Sequence, residues 1–170
     1  MTNIHPLFVH FPIALLFIYS IIKLLPTKKY FPSITWRDIE RITLTIGVLG
    51  AFIALQTGDA AEHVFRPVRS IVEAHSNFAG LATIIYIVLL VVEIIATLQE
   101  KNMLVKIQSN FVQKILNWYQ AFFGGKVVSG ILAFLGLIAI SITGLLGGVM
   151  VYGPSADPVA VLVLKLLKLN

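Results

Sequence analysis

The 170-residue chain has no cysteine. Its own side chains therefore cannot form disulfides, thiolate metal sites or iron–sulfur clusters, and histidine and carboxylate remain as its strong metal ligands. Charge is also scarce, because only 12% of the residues are charged while 58% are hydrophobic, and the mean hydropathy is +0.91. Soluble domains contain about 25% charged residues. The composition therefore predicts an integral membrane protein.

Four apolar segments are long enough to cross a hydrocarbon core, which requires about 20 helical residues. These segments span residues 6–25, 38–60, 72–98 and 127–152. Residues 103–123 carry apolar side chains at steps of three and four, which predicts an amphipathic helix on the membrane surface or a linker helix packed on the bundle. The tail, 154–170, is apolar but too short to span. We predict one all-α domain: an up-down four-helix membrane bundle with an additional interfacial helix.

The basic residues predict the orientation of these spans. Four of the thirteen lie on the side of the chain termini, namely Arg66, Arg69, Lys165 and Lys168, and the other nine lie on the opposite side. Because lysine and arginine concentrate in cytoplasmic loops, both termini should lie outside. This sorting also accounts for the net charge of +5 without a nucleic-acid partner. No basic region precedes the first apolar segment, so we expect a retained span and not a cleaved signal.

All four histidines fall at the predicted outer ends of the spans: His5, His10, His63 and His75. Ionisable side chains in a membrane are functional candidates by default. Pro6 suits the first helical position and Pro12 predicts a bend or local unwinding beside His10. We predict that His10 and His75, each about one turn inside its helix, face each other across the bundle. A layer of separately satisfied interfacial histidines is the structural alternative.

Paired neutral imidazoles from opposing helices suit haem iron, whose axial positions lie on opposite faces of one plane. We therefore predict b-type haem with His10 and His75 as axial ligands. His5 and His63 would ligate a second haem or hydrogen-bond around the first. The alternative is a bound or transported copper, zinc or iron ion held by histidines together with Asp59 and Glu62.

Other residues near this layer are candidate cofactor contacts. Gly58, Gly147 and Gly148 would let a flat macrocycle approach the backbone, although small residues at such spacing also serve close helix packing. Tyr152 closes the fourth span beside these glycines. In the outer hairpin, Arg66 and Arg69 could pair with haem propionates or with lipid headgroups.

The opening motif His-Pro-Leu-Phe-Val-His-Phe-Pro, at residues 5–12, resembles that of four-span bacterial membrane proteins classified as a domain of unknown function. The match also includes Thr57-Gly58-Asp59, His75, and the Gly147-Gly148 and Val151-Tyr152 pairs. Relatives of this kind are joined to Rieske or cytochrome c domains, which implies a redox setting. By this resemblance His5, His10 and His75 occupy motif positions, whereas His63 has no clear counterpart.

We therefore expect a haem protein of the bacterial inner membrane that transfers electrons at its outer face, as an electron-transfer component of an oxidoreductase. Its expected partners are the lipid bilayer and a quinone or a separate redox protein. Self-association into a homo-oligomer is left open by the sequence. A structural subunit of a membrane redox complex, without a cofactor of its own, is the third alternative.

Overall fold

The computed structural model describes residues 5–65, 68–104, 109–155 and 157–169, with the backbone alone at 6–7 and 59–65. Over these ranges the chain is helical and has no strand, so the all-α prediction is confirmed. The helices are α1 (His5–Leu24), α2 (Thr27–Tyr30), α3 (Trp36–Phe65), α4 (Arg69–Glu100), α5 (Asn110–Phe123), α6 (Lys126–Tyr152) and α7 (Pro158–Leu166).

The four predicted spans correspond to α1, α3, α4 and α6, whose ends lie within a few residues of the predicted ones. Among the described residues, α4 and α6 are long and apolar enough to cross a membrane, and α1 contains a shorter apolar stretch over Phe8–Leu24. Helix α1 stays helical through Pro12, so the local unwinding predicted there does not occur. Helix α4 begins at Arg69, which puts His75 nearly two turns inside it.

The four long helices pack as two pairs. Helix α1 packs most closely on α3, and α4 packs most closely on α6. The pairs join through contacts of α1 with α6 and of α3 with α4, which places α1 and α4 at opposite corners. This diagonal arrangement means that side chains from α1 and α4 can approach one another from opposite sides of the bundle.

Glycines allow the helices to pack closely in the core. A Cβ atom at Gly47 would lie 2.6 Å from Leu16 Cδ2, and one at Gly136 would lie 2.9 Å from Tyr86 Cζ. Tyr86 is fully buried, and its hydroxyl group shares a 2.9 Å hydrogen bond with that of Ser20 on α1. Gly47 and Gly136 therefore serve helix packing.

Large apolar side chains also cover the outward faces of the long helices at mid-height. Several are more than two-fifths exposed: Phe17, Ile46, Leu49, Ile84, Ile131 and Phe134. The bundle therefore has apolar side chains both in its core and on its outer surface, a distribution that suits lipid better than water.

Charged side chains meet where α1 ends, α3 begins and α4 ends. The ammonium group of Lys23 lies 3.2 Å from Glu40 and 3.7 Å from Glu93, and both carboxylates are buried. Arg41 is 3.4 Å from Glu93 and 2.8 Å from Glu100. Arg37 also pairs with Glu100. We call this group of six side chains the charged layer; it lies at the predicted cytoplasmic end.

The region predicted as an interfacial helix, 103–123, forms α5 over its later part only, and residues 105–108 lie outside the described ranges. The Tyr119 hydroxyl donates to the carbonyl of Val88 on α4 at 3.1 Å, so α5 packs on the bundle. Its apolar side chains at a helical spacing remain exposed: Phe111, Ile115, Trp118 and Phe122. The helix therefore both packs on the bundle and presents an apolar face outward.

The C-terminal tail forms α7, which folds back onto the end of α6. Ala160 and Leu164 are buried against Leu146 and Val149. Asp157 caps this helix, because its carboxylate accepts a hydrogen bond from the Val159 amide at 2.7 Å. The tail thus packs on the histidine end of the bundle.

Candidate cofactor site

His5 opens α1 and is held by the end of α3. Its Nδ1 atom lies 3.0 Å from the Thr57 hydroxyl oxygen. That hydroxyl donates its own proton to the backbone, since the carbonyl oxygens of Ile53 and Ala54 each lie 3.1 Å away. The Thr57 oxygen is therefore the acceptor for His5, whose Nδ1 carries the proton. In this tautomer the lone pair of the ring is on Nε2.

His75 is held in a corresponding way by the end of α6. Its Nδ1 atom lies 2.9 Å from the backbone carbonyl oxygen of Thr143. A carbonyl oxygen can only accept, so Nδ1 of His75 is also protonated and its lone pair is on Nε2. A backbone or hydroxyl acceptor on one ring nitrogen is the usual support for a histidine that binds metal through the other.

A glycine lies against each of these two rings. A Cβ atom at Gly58 would lie 3.3 Å from Cε1 of His5, and one at Gly147 would lie 3.4 Å from Cε1 of His75. The separation at Gly58 is tighter than ordinary van der Waals contact, and the one at Gly147 is at its lower limit. Any larger side chain would press on the imidazole, so both glycines help to determine where the rings lie.

The two histidines lie at the same end of the bundle. Each ring contacts the later part of a neighbouring helix, His5 at Thr57 of α3 and His75 at Thr143 of α6. Their helices, α1 and α4, stand at opposite corners of the bundle. The arrangement repeats between the halves of the chain: a histidine near the start of one helix is held by a threonine and a glycine at the end of its packing partner.

Three other predicted cofactor contacts, His10, Gly148 and Tyr152, lie in more open surroundings than His5 and His75. His10 is exposed on α1, five residues and about 140° around the helix from His5. His5 is thus the histidine of α1 that the structure brings near His75. Tyr152 is 78% exposed, and a Cβ atom at Gly148 would meet nothing within 4 Å.

Arg69 pairs with Glu73 on the surface of α4, at 2.8 Å and with both side chains largely exposed. Four further predicted site residues cannot be placed, because Arg66 and the side chains of Asp59, Glu62 and His63 lie outside the described residues. Among the residues that are described, no three histidine or acidic side chains group to hold a metal ion. The described part of the layer therefore offers a pair of imidazoles.

Sequence reasoning missed Thr57 and Thr143 as the groups that hold the two histidines. The hydroxyl of Thr57 directly before Gly58 was a local signal, whereas the acceptor at Thr143 is its backbone carbonyl, which any residue at that position would supply. Only the packing of the helices shows that these threonine–glycine pairs meet the histidines.

No protein-family model matches the chain, and neither the curated proteins nor the solved structures contain a match.

Proposed function

We propose that α1, α3, α4 and α6 all cross the bacterial inner membrane, with both termini outside. The first support is the distance between the two polar ends. Eighteen residues separate them on three helices: His5 to Lys23, Glu40 to Gly58, and His75 to Glu93. At a rise of 1.5 Å per residue this interval is about 27 Å, close to the ~30 Å thickness of a hydrocarbon core.

The outer surface and the distribution of basic residues support the same proposal. The exposed apolar side chains at mid-helix, such as Ile84 and Phe134, would face acyl chains. The charged layer contains Lys23, Arg37 and Arg41, as expected of a cytoplasmic end. Helix α3 has no charged residue between Arg41 and Asp59, which is an apolar length sufficient for a span.

We further propose that the outer end holds one b-type haem and that the protein transfers electrons there. The observation that carries this proposal is the shared tautomer of His5 and His75. Both rings have Nδ1 held by an oxygen atom and a lone pair on Nε2, on helices at opposite corners of the bundle. Two neutral imidazoles that approach from opposite sides are the ligand set of a six-coordinate haem.

This proposal replaces His10 by His5 as the partner of His75. When bound, the haem would supply a one-electron redox couple, and the protein would set its potential through the hydrogen bonds on the two Nδ1 atoms. Gly58 and Gly147 would keep the rings at their positions. Because the site lies at one end only, an electron donor and an acceptor would have to meet the protein at its outer face.

A haem needs only two ligands from the protein, and His5 and His75 are the two that we propose. A structural or transported metal ion needs three or four ligands. The paired imidazoles support the haem proposal, whereas the copper, zinc or iron alternative depends on Asp59, Glu62 and His63, whose side chains lie outside the described residues.

The test is the reduced-minus-oxidised visible spectrum of the protein purified in mild detergent after haem-supplemented expression, with a pyridine haemochrome count. We expect the sharp bands of a six-coordinate haem and one haem per chain. A colourless protein that contains a stoichiometric transition metal would contradict the proposal in favour of the metal-ion alternative. A colourless protein without metal would favour a structural subunit.

A further inference from the structure

Helix α5 leaves a stripe of large apolar side chains uncovered. The stripe spans about 60° of the helix circumference. Its members are between 47% and 73% exposed: Phe111, Ile115, Trp118 and Phe122. The rings of Trp118 and Phe122 stack, with centroids 5.8 Å apart and planes inclined by 5°. Exposed apolar surface of this kind marks a contact with a membrane or with another protein.

Two contacts with α4 show which way α5 faces. On its polar side, Asn117 accepts a 3.2 Å hydrogen bond from the amide of Gln99, the neighbour of Glu100 in the charged layer. On its apolar side, the Tyr119 hydroxyl donates to the carbonyl of Val88, eleven residues or about 16 Å farther into the bundle along α4. The polar side of α5 therefore faces away from the bundle, and its apolar side faces the middle of the bundle.

The stripe shares the deep side of α5. Around the helix, Ile115 and Phe122 lie about 40° and 60° from Tyr119 but about 160° and 140° from Asn117. With α4 across the membrane, that side of α5 is at the depth of acyl chains, which a soluble partner does not reach. Tryptophan and tyrosine at such a boundary are typical of the aromatic belt of membrane proteins.

The lysines at this end of the bundle have few carboxylates to pair with. The charged layer holds three cations and three carboxylates, so it is neutral within itself. Asp38 is the one other acidic residue of the segments 23–41 and 93–126. Five lysines of these segments are exposed and form no ion pair within the part of the chain that the structure describes: Lys28, Lys29, Lys101, Lys114 and Lys126. This excess of positive charge complements an anionic surface.

We propose that α5 lies in the headgroup region of the cytoplasmic leaflet and binds anionic phospholipids there. The stripe inserts among the acyl chains, and the lysines nearest α5 bind the lipid phosphates: Lys101, Lys114 and Lys126. The inference rests on the proposed function through its topology, because it requires α4 and α6 to cross the membrane. It does not require that the outer end holds haem.

The two features together favour an anionic lipid over other partners. A soluble acidic protein would neutralise the lysines but leave the stripe uncovered, since the stripe faces the deep side of α5. A zwitterionic lipid would cover the stripe but supply no net counter-charge. An anionic phospholipid supplies both an acyl chain and a negative headgroup.

The experiment is quenching of tryptophan fluorescence by brominated phospholipids, with the whole chain reconstituted into vesicles. Trp36→Phe leaves Trp118 as the sole tryptophan. The vesicles contain equal amounts of phosphatidylcholine and phosphatidylglycerol, and only one of the two lipids carries bromine. We expect both lipids to quench Trp118, with a preference for phosphatidylglycerol of about fivefold, the contribution of one lysine near an anionic surface.

A triple variant tests the lysines. Lys101→Gln, Lys114→Gln and Lys126→Gln together should keep the quenching and abolish the preference. Lys165→Gln with Lys168→Gln is the matched control, because both lysines are exposed at the opposite end of the bundle, and it should keep the preference. Equal quenching by the two lipids before any lysine is changed would overturn the selectivity for anionic lipid.

Trp118 itself tests the insertion of the stripe. If neither brominated lipid quenches it, the stripe does not meet acyl chains and the proposal is overturned in favour of a protein partner. Should Trp36→Phe not fold, as judged by gel filtration, the difference between wild type and Trp118→Phe gives the same signal.

Two readouts separate this proposal from the proposed function. The quenching needs no haem, so a colourless protein with the lipid preference supports the α5 surface alone, and a haem protein without it refutes the α5 surface alone. Because the chain has no cysteine, Asn110→Cys reports the side on which α5 lies. It should resist a membrane-impermeant maleimide added outside intact spheroplasts, and labelling there would contradict both the topology and the cytoplasmic leaflet.

Discussion

The two polar ends of the bundle satisfy their side chains differently. At the charged layer, each carboxylate of Glu40, Glu93 and Glu100 has a cationic partner, so charges neutralise one another within the protein. At the histidine end, His5 and His75 each engage Nδ1 with an oxygen atom. The first arrangement pairs opposite charges, whereas in the second the remaining ring nitrogens would bind the proposed haem.

Similar ionisable residues at the two ends of the bundle are proposed to have different roles. Both ends contain ionisable residues near the limits of the apolar core, which hydropathy alone treats alike. Mutual ion pairing indicates a structural role for the charged layer, since unpaired charge at the edge of a membrane is costly. Variants at the outer end should therefore change cofactor content, and variants at the charged end should change stability.

The largest expected effect is at His75. His75→Ala removes one proposed axial ligand, so we expect loss of the six-coordinate haem spectrum, measured as reduced-minus-oxidised absorbance per chain. His10→Ala is the matched control, because His10 is exposed on α1 away from His5, and it should keep the wild-type spectrum. If His10→Ala lost the spectrum and His75→Ala kept it, the assignment of ligands from tautomer and packing would be wrong.

Variants in the charged layer should lower stability and leave the haem spectrum unchanged. Glu93→Gln removes a buried partner of both Lys23 and Arg41, while each cation keeps a second carboxylate. We expect a loss of about 1–3 kcal/mol in the free energy of unfolding in detergent, with an unchanged haem spectrum. Glu73→Gln, which breaks the exposed pair with Arg69, should cost less than about 0.5 kcal/mol. Equal costs for both variants would remove the distinction between a buried layer and a surface pair.

Variants of Thr57 and Thr143, the residues that hold His5 and His75, should have a smaller effect, which is measured on the haem midpoint potential. Thr57→Val removes the hydroxyl that accepts from His5, which weakens the ligand as a donor and should raise the haem midpoint potential. Thr143→Val leaves the carbonyl that accepts from His75 in place. Its potential should therefore stay closer to that of wild type in a spectroelectrochemical titration. Identical shifts in both variants would show that the threonine hydroxyls act through packing instead.

The smallest effect concerns pH at the end of α4, outside the predicted span 72–98. The guanidinium of Arg41, with that of Arg37, lowers the pKa of Glu100 below its ordinary value of 4.5. A lowered folded-state pKa gives stability that is present above the unfolded value and is lost as pH falls through the folded one. The Tm difference between wild type and Glu100→Gln should thus be positive at neutral pH and should shrink as the pH falls below 4.5 and through the lowered folded-state pKa. A difference that persists in acid would contradict this linkage.

The sequence predicted the four long helices because apolar runs and their charged ends are local properties. The choice between His5 and His10 is not local, since it depends on which side of α1 meets α3, and the two residues differ by about 140° around the helix. The support from Thr57 likewise arises only when α3 packs on α1. The start of α4 is a second difference between the prediction and the structure. Because α4 begins at Arg69, His75 lies nearly two turns inside the helix and not about one turn as predicted.

The most direct test of the central claim, that His5 and His75 bind one iron from opposite sides, is low-temperature electron paramagnetic resonance of oxidised wild type beside His5→Ala. We predict a single low-spin signal in wild type. In His5→Ala all the haem that remains should be high-spin, because one axial ligand is gone. An unchanged low-spin signal in His5→Ala, or one reduced by half, would contradict a shared iron.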